Sequence, residues 1–163
     1  MSAALLLARF DDPEKLVPAV ATLDASPLVT RWDAVDGHVD LVISVDANSG
    51  HIPDALLKLS GLSELITYSI ANNSPRSISI SPELASAYLF IDVQRGKERD
   101  VEKAILQVPQ TVSCVAVTGG CDLVAVVSAD SIAALGRIIE ETIRPLDGII
   151  RLKHNHIIDL KSL

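Results

Sequence analysis

Apolar and polar positions at the start of the chain predict a strand followed by a helix. Residues 3–10 (AALLLARF) are almost continuously apolar, which is typical of a buried strand. Asp11, Asp12 and Pro13 follow, and a proline suits the first turn of a helix. Apolar side chains then recur at helical spacing until Pro27, where the pattern breaks.

The next segment predicts a hairpin, a short helix and a further strand, so that the order is βαββαβ. Asp36-Gly37 favours a type I′ turn between two strand candidates. Gly61 can end the following helix in the left-handed conformation. The predicted elements are strands over 28–35, 39–45 and 65–70 and a helix over about 53–59.

After a polar segment (ANNSPRSISISPE) the same order begins again. Ser131 is a candidate N-cap, and Gly119-Gly120 is the candidate hairpin turn. The predicted strands are 87–93, 112–117, 123–127 and 149–158, with helical apolar faces over 101–108 and 132–143. The best internal match pairs DGHVDLV with TGGCDLVA, which aligns Gly37 with Gly119, Asp40 with Asp122 and Leu41 with Leu123.

This order predicts an α+β fold made of two tandem βαββαβ ferredoxin-like modules. We expect modules over 1–72 and 85–163 with a linker over 73–84, each with an antiparallel sheet and both helices on one face. Leu5-Leu6-Leu7 and residues 123–127 are apolar at consecutive positions. A sheet with one face exposed to solvent would instead alternate apolar and polar residues along each strand. The free face of each sheet should therefore be covered by the sheet of the other module. The tandem repeat would then close into a pseudo-dimeric α+β barrel.

Composition narrows the classes of function. Hydrophobic residues make up 48% of the 163 residues and aromatic residues only 3%, so the core must be aliphatic. The net charge of −7 disfavours direct nucleic-acid binding. The two cysteines make no disulfide framework or metal spacing, and Cys114 is expected to be a small buried hydrophobe. With no signal sequence and no apolar run approaching 18 residues, we expect a cytoplasmic protein with no membrane partner.

The second half resembles a known family. Residues 87–158 resemble the effector-binding domain, also called the RAM domain, of the Lrp/AsnC (feast/famine) transcription regulators. The most specific part is Thr118-Gly119-Gly120-Cys121-Asp122-Leu123, although the family commonly has a bulky residue at Cys121. Gly148 before the last strand also fits, and the first half shows the pattern more weakly.

The resemblance implies a ligand-binding oligomer. It implies a dimeric α+β barrel that assembles into rings and binds a small-molecule effector, such as an amino acid, near the hairpin. The ligand-binding candidates are Thr118, Gly119, Gly120, Cys121 and Asp122, with Asp36, Gly37, His38 and Asp40 in the first half. No helix-turn-helix precedes either copy, so an Lrp/AsnC-type regulator is a possible partner and direct DNA binding is not expected.

Several candidate residues have a structural and a functional interpretation. Asp40 and Asp122 can hold their hairpins by accepting backbone N–H bonds, or one of them can receive an effector's ammonium group. His154-x-His156 could form a metal pair, but no third ligand is evident and a solvated or partner-facing strand is favoured. His38 and His51 lack an evident nucleophile or paired carboxylate.

The turn and the tryptophan favour structural interpretations. Thr118-Gly119-Gly120 lacks the lysine and helix of a phosphate loop, and no cofactor is predicted. Trp32 is expected to be a packing anchor.

Three hypotheses of function follow. The first is a regulator-like, effector-binding and oligomerisation module, which is not an enzyme. The second is an enzyme of the dimeric α+β barrel class, such as an oxygenase, isomerase or decarboxylase, which rests on fold analogy. The third is a purely structural assembly protein.

Overall fold

The computed structural model describes residues 3–46, 54–70 and 80–158. Within these ranges eight strands close an antiparallel barrel in the order β1-β3-β2-β8-β5-β7-β6-β4. The strands are β1 Ala3–Phe10, β2 Val29–Asp36, β3 Leu41–Asp46, β4 Leu62–Ile70, β5 Ala85–Val93, β6 Thr111–Thr118, β7 Leu123–Ala129 and β8 Ile149–Ile158. The α+β fold of two βαββαβ modules is thus confirmed.

The helices connect the strands in the predicted places. They are α1 Leu16–Ala25, preceded by a 3-10 turn at Pro13–Lys15, then α2 Asp54–Leu57, α3 Glu98–Leu106 and α4 Ile132–Arg137, which continues as a π-helical segment, Ile138–Ile143. Asp12 and Ser131 cap their helices, since their side chains accept from the amides of Glu14 and Ala134 at 3.0 Å each. No helix of the described residues is long and apolar enough to cross a bilayer.

The two modules meet at two seams. Within the described residues, Ala34, Val35 and Asp36 of β2 pair with Ile158, Ile157 and His156 of β8 in the first seam. In the β4–β6 seam, the described pairs join Ser69 and Ile70 to Thr118 and Val117. Equivalent strands of the modules run in the same direction, because neighbours around the barrel are antiparallel throughout. Both β-hairpins therefore lie at the same end of the barrel.

Both faces of each sheet are buried, as the lack of alternation predicted. Each module packs its own helices on the outer face of its sheet, for example Leu6 and Leu23 in the first module and Leu89 and Ile105 in the second. Side chains from both modules fill the barrel between the sheets. This interior cluster comprises Leu5, Leu7, Val35, Val39, Val42, Tyr68, Tyr88, Phe90, Val117, Val124 and Val126.

Some local predictions need correction. The type I′ turn at Asp36-Gly37 is wrong, because that turn needs positive φ at both central residues and neither has it. The connection instead spans residues 37–40. Gly61 has the predicted positive φ, 83°, but it does not end the helix, which stops at Leu57. Residue 53, where this helix is predicted to begin, lies outside the described residues.

The two packing predictions agree with the structure. Cys114 is buried, with 7% of its surface exposed. Trp32 packs against the outer core of the first module, and its indole N–H donates to Asp24 Oδ1 at 2.7 Å. The predicted linker lies mostly at residues 73–79, outside the described ranges, so the module boundaries stay predictions.

Candidate functional site at the two hairpins

Asp40 joins the first hairpin to the end of β1. The pairing of β1 with β4 shifts register between Arg9 and Phe10, which is a β-bulge. The Phe10 amide at this bulge donates to Asp40 Oδ2 at 2.7 Å. The Asp40 amide in turn donates to the carbonyl of Ala8 at 2.9 Å. The carboxylate thus satisfies an amide at the point where regular strand pairing is interrupted.

Asp122 makes the same contacts in the second module. The register of β5 with β8 shifts between Asp92 and Val93, and the Val93 amide donates to Asp122 Oδ2 at 2.8 Å. The Asp122 amide donates to the carbonyl of Ile91 at 3.0 Å. These contacts fit the structural interpretation of the two aspartates. The other carboxylate oxygen of each remains the candidate for an effector's ammonium group.

Each hairpin turn rests on the last strand of the other module. A Cβ added at Gly37 would lie 1.8 Å from Asn155 Oδ1, and one at Gly120 would lie 2.3 Å from Tyr68 Cε1. Gly119 has a φ of 131°, and its Cβ would lie 2.6 Å from the carbonyl oxygen of Thr67. Glycine is therefore required in both turns by the closeness of the opposite strand.

Tyr68 and Asn155 occupy equivalent positions. Tyr68 pairs with Leu5 on β1, and Asn155 pairs with Tyr88 on β5. Leu5 is five residues before Phe10, whose amide donates to Asp40. Tyr88 is likewise five residues before Val93, whose amide donates to Asp122. Sequence comparison did not find these two residues, because a tyrosine and an asparagine give no internal match.

His38 and Asn155 form a two-point contact across the modules. The His38 amide donates to Asn155 Oδ1 at 2.8 Å, and Asn155 Nδ2 lies 3.0 Å from His38 Nδ1. The His38 ring also meets Phe90 edge-on, with ring centroids 5.4 Å apart. Burial, followed by the charge of Lys153, lowers the pKa of His38. The neutral imidazole is favoured, which suits an Nδ1 that accepts from the asparagine amide.

The second hairpin has a tyrosine and a thiol in the corresponding place. Burial raises the pKa of Tyr68 to about 12, with a further contribution from Cys121. Burial also raises the pKa of Cys121 to about 11. At neutral pH this thiol is protonated and only weakly nucleophilic, so it can supply a hydrogen-bond group but not an activated nucleophile.

The nine predicted ligand-binding residues lie in two separate groups. Around the barrel, β8 and β5 separate the hairpins on one side, and β4 and β1 separate them on the other. Within each group the turn is exposed and the residues that follow it are half-buried. The exposed residues are Asp36, Gly37, Thr118, Gly119 and Gly120, and the half-buried ones are His38, Asp40, Cys121 and Asp122.

A buried polar network inside the barrel was not predicted. Asp33 accepts from Tyr88 Oη at 2.6 Å and from Arg31 Nε and Nη2 at 2.7 and 2.8 Å. Asp33 and Tyr88 are 7% and 0% exposed. Burial raises the pKa of Tyr88 well above its ordinary value, so its hydroxyl remains a donor. The available signal was an aspartate within the predicted strand over 28–35.

One shallow depression of about 320 Å³ lies away from both hairpins. It is formed by the end of α1 and the start of β2, and its lining is Leu23, Asp24, Val29, Thr30, Arg31 and Trp32. None of the nine candidate residues belongs to it.

Three solved structures are similar to parts or most of this chain, and the first supports its architecture. The siroheme decarboxylase NirDL aligns with 96% of this chain and 71% of its own, at 10% identity and a TM-score of 0.75. At that identity the likeness concerns the fold alone. FFRP-DM1 shares 28% identity over 45% of this chain and 99% of its own, with a TM-score of 0.45. Escherichia coli AsnC shares 16% identity over 54% of this chain and 62% of its own, with a TM-score of 0.46.

A family model matches the second half of the chain, whereas the search of curated proteins finds no match. None of the curated proteins matches the chain. Residues 86–159 match the family described as the Lrp/AsnC ligand binding domain. That segment runs from the second residue of β5 to the end of β8 and includes the turn at residues 118–122. Residues 86–159 are thus similar to the Lrp/AsnC ligand binding domain.

Proposed function

We propose that the protein is a regulator-like module that binds a small, amino-acid-like effector and responds through its assembly state. The observation that carries this proposal is the match of residues 86–159 to a ligand binding domain. The match includes the hairpin whose exposed turn and half-buried Asp122 form the candidate site. The two modules would then derive from a tandem duplication, with the effector site best kept in the second copy.

The geometry suggests how such a ligand would be held. Asp122 uses Oδ2 for the Val93 amide, and its other oxygen can accept from an ammonium group. The exposed backbone of Thr118, Gly119 and Gly120 can approach the ligand closely, because two of these residues have no side chain. Burial keeps Cys121 neutral, so it adds no competing charge beside the ammonium group.

A ligand at this turn would act on the whole barrel. The turn rests on Tyr68 of the first module, so ligand that orders the turn also stabilises the β4–β6 seam. A ligand shifts an assembly equilibrium only as far as it binds one state better than the other. We therefore expect ligand to change the oligomer distribution and not only the melting temperature. The partners would be further copies of this chain or an Lrp/AsnC-type regulator that contacts DNA.

The test is a thermal-shift screen of the common amino acids, followed by calorimetry on any that stabilise the protein. D122N keeps an oxygen for the Val93 amide but removes the charge that an ammonium group needs. It should weaken binding at least about tenfold, in the range of a charged hydrogen bond. D40N is the matched control in the other hairpin and should leave the affinity unchanged. No stabilisation by any amino acid, or equal effects of both variants, would refute the proposed site.

An enzyme of the barrel class is the second candidate. The half-buried, neutral His38 beside the interior residue Phe90 is the observation that favours it, because a general base must be neutral to accept a proton. The depression of about 320 Å³ does not include His38, which weighs against this candidate. Turnover of a barrel-class substrate that is lost in H38Q but kept in D122N would favour the enzyme. A closed ring that binds no ligand would instead indicate a structural assembly protein.

A further inference from the structure

Two histidines share one face of β8 close to the β2–β8 seam. His154 and His156 are two residues apart, which places both on the same side of the strand. Their ring centroids are 5.2 Å apart, with the planes nearly perpendicular at 87°. Both side chains are half-buried. They pair with Leu89 and Ala87 of β5, which point towards the outer core of the second module, so the histidines lie on the outer side of the barrel.

A carboxylate of the other module lies directly opposite. Asp36 of β2 is the pairing partner of His156 across the seam. Residues opposite each other in an antiparallel pair project to the same face, with Cβ atoms about 4.5–5.5 Å apart. Burial and His154 lower the pKa of His156, and the charge of Asp36 opposes them. Asp36 is exposed, so its side chain can rotate at little cost.

The equivalent place at the other seam has different chemistry. Because Tyr68 and Asn155 are equivalent, Thr67 and Ser69 correspond to His154 and His156. Ser69 pairs with Thr118 across the β4–β6 seam, just as His156 pairs with Asp36. Three positions that carry hydroxyl groups at one seam therefore carry two imidazoles and a carboxylate at the other. Imidazole and carboxylate are strong ligands for divalent transition metals, whereas neutral hydroxyls are weak ones.

We propose that His154, His156 and Asp36 bind one divalent transition-metal ion, such as Zn²⁺, across the β2–β8 seam. Two imidazole nitrogens and one carboxylate oxygen leave a fourth tetrahedral position for water. Among the described residues, no group of three His, Cys, Asp or Glu side chains is placed to hold a metal ion. The proposed site therefore requires the exposed Asp36 side chain to rotate towards His156 when the ion binds. The ion would link the two modules at a seam with three described residue pairs, and it would not use Asp122 or the second hairpin turn.

The experiment is calorimetric titration of the full chain with ZnCl₂, together with melting temperatures with and without zinc. We expect one equivalent to bind and the melting temperature to rise. H156S should weaken binding at least about tenfold, because it removes a ligand that faces both other ligands. The triple variant D36T/H154T/H156S, which copies the β4–β6 seam, should lose the site. C121S, at the opposite hairpin, is the control and should bind zinc as the unchanged protein does.

Two further measurements keep the proposal testable if the triple variant folds poorly. Imidazole resonances of His154 and His156 in the unchanged protein should shift on addition of zinc. The converse variant T67H/S69H/T118D should bind a second equivalent. The proposal is overturned if zinc binds more weakly than about 1 mM, if the triple variant binds as tightly as the unchanged protein, or if only other histidines respond.

Discussion

At the scale of single residues, the two modules repeat one polar contact and differ in another. Asp40 and Asp122 accept from the amides of Phe10 and Val93 at 2.7 and 2.8 Å, each at a β-bulge. Beneath the turns, Asn155 in one module corresponds to Tyr68 in the other. The repeated contact supports the fold, whereas the differing one gives the two hairpins distinct chemistry for binding.

The repeated contact should be measurable as stability. D40A and D122A should each lower the free energy of unfolding by about 1–3 kcal/mol, since each leaves an amide at a bulge without its acceptor. D122N, which retains an acceptor oxygen, should cost clearly less. Urea denaturation checks this, with E83A at an exposed position as the control. Equal stability of D122A and E83A would show that water replaces the carboxylate at no cost.

Buried thiols and a buried phenol should make the protein sensitive to alkali. Burial raises the pKa of Cys114 from 9.0 to about 12 and that of Cys121 to about 11, and Tyr68 shifts from 10.0 to about 12. The folded state therefore holds more protons than the unfolded state above pH 9. Stability is full below that pH and falls as the pH rises towards the folded values.

The measurement is the melting temperature at intervals between about pH 8 and about pH 10.5. C114A/C121A should show a smaller decline across this range, relative to its own value at pH 8. A decline as steep as that of the unchanged protein would assign the alkaline effect to other groups.

At the scale of elements, the sequence predicted strands and helices well and turns poorly. Apolar runs mark strands such as Leu123–Ala129 because both of their faces are buried. Asp36-Gly37 suggested a type I′ turn, but this turn packs against Asn155, which lies 118 residues further along the chain than Gly37 and accepts from the His38 amide. The candidate hairpins were visible in sequence, whereas their supports Tyr68 and Asn155 depend on the closed barrel and were not.

The contact of Gly37 with Asn155 should appear as an energetic coupling. G37A should cost about 1–3 kcal/mol, because its Cβ would overlap the Asn155 side chain. In an N155A background most of this cost should vanish, which gives a coupling of at least about 1 kcal/mol in a double-mutant cycle. G136A is the control: no atom lies within 4 Å of its Cβ, so a helical alanine there should be neutral or stabilising. A G37A cost that persists in N155A would show that the Asn155 side chain is not its cause.

At the scale of the whole molecule, the interior cluster makes the two modules interdependent. Leu7 of the first module and Phe90 and Val124 of the second belong to one buried set between the sheets. Separating the modules would expose this set to water, at about 25 cal/mol for each Å² of apolar surface. The absence of polar and apolar alternation in the strands predicted this arrangement, whereas the seams could be seen only once the strand order was known.

This interdependence predicts a single unfolding transition. Trp32, the only tryptophan of the chain, lies in the first module and reports on it by fluorescence, whereas far-ultraviolet circular dichroism reports on both modules. L135A removes a fully buried side chain from the outer core of the second module and should cost about 2–5 kcal/mol. If the interior cluster couples the modules, the fluorescence midpoint in urea should fall by the same amount as the dichroism midpoint. The opposite outcome would be an unchanged fluorescence midpoint together with a dichroism curve that splits into two steps. Each module would then remain folded without the other, and the shared interior would add little to stability.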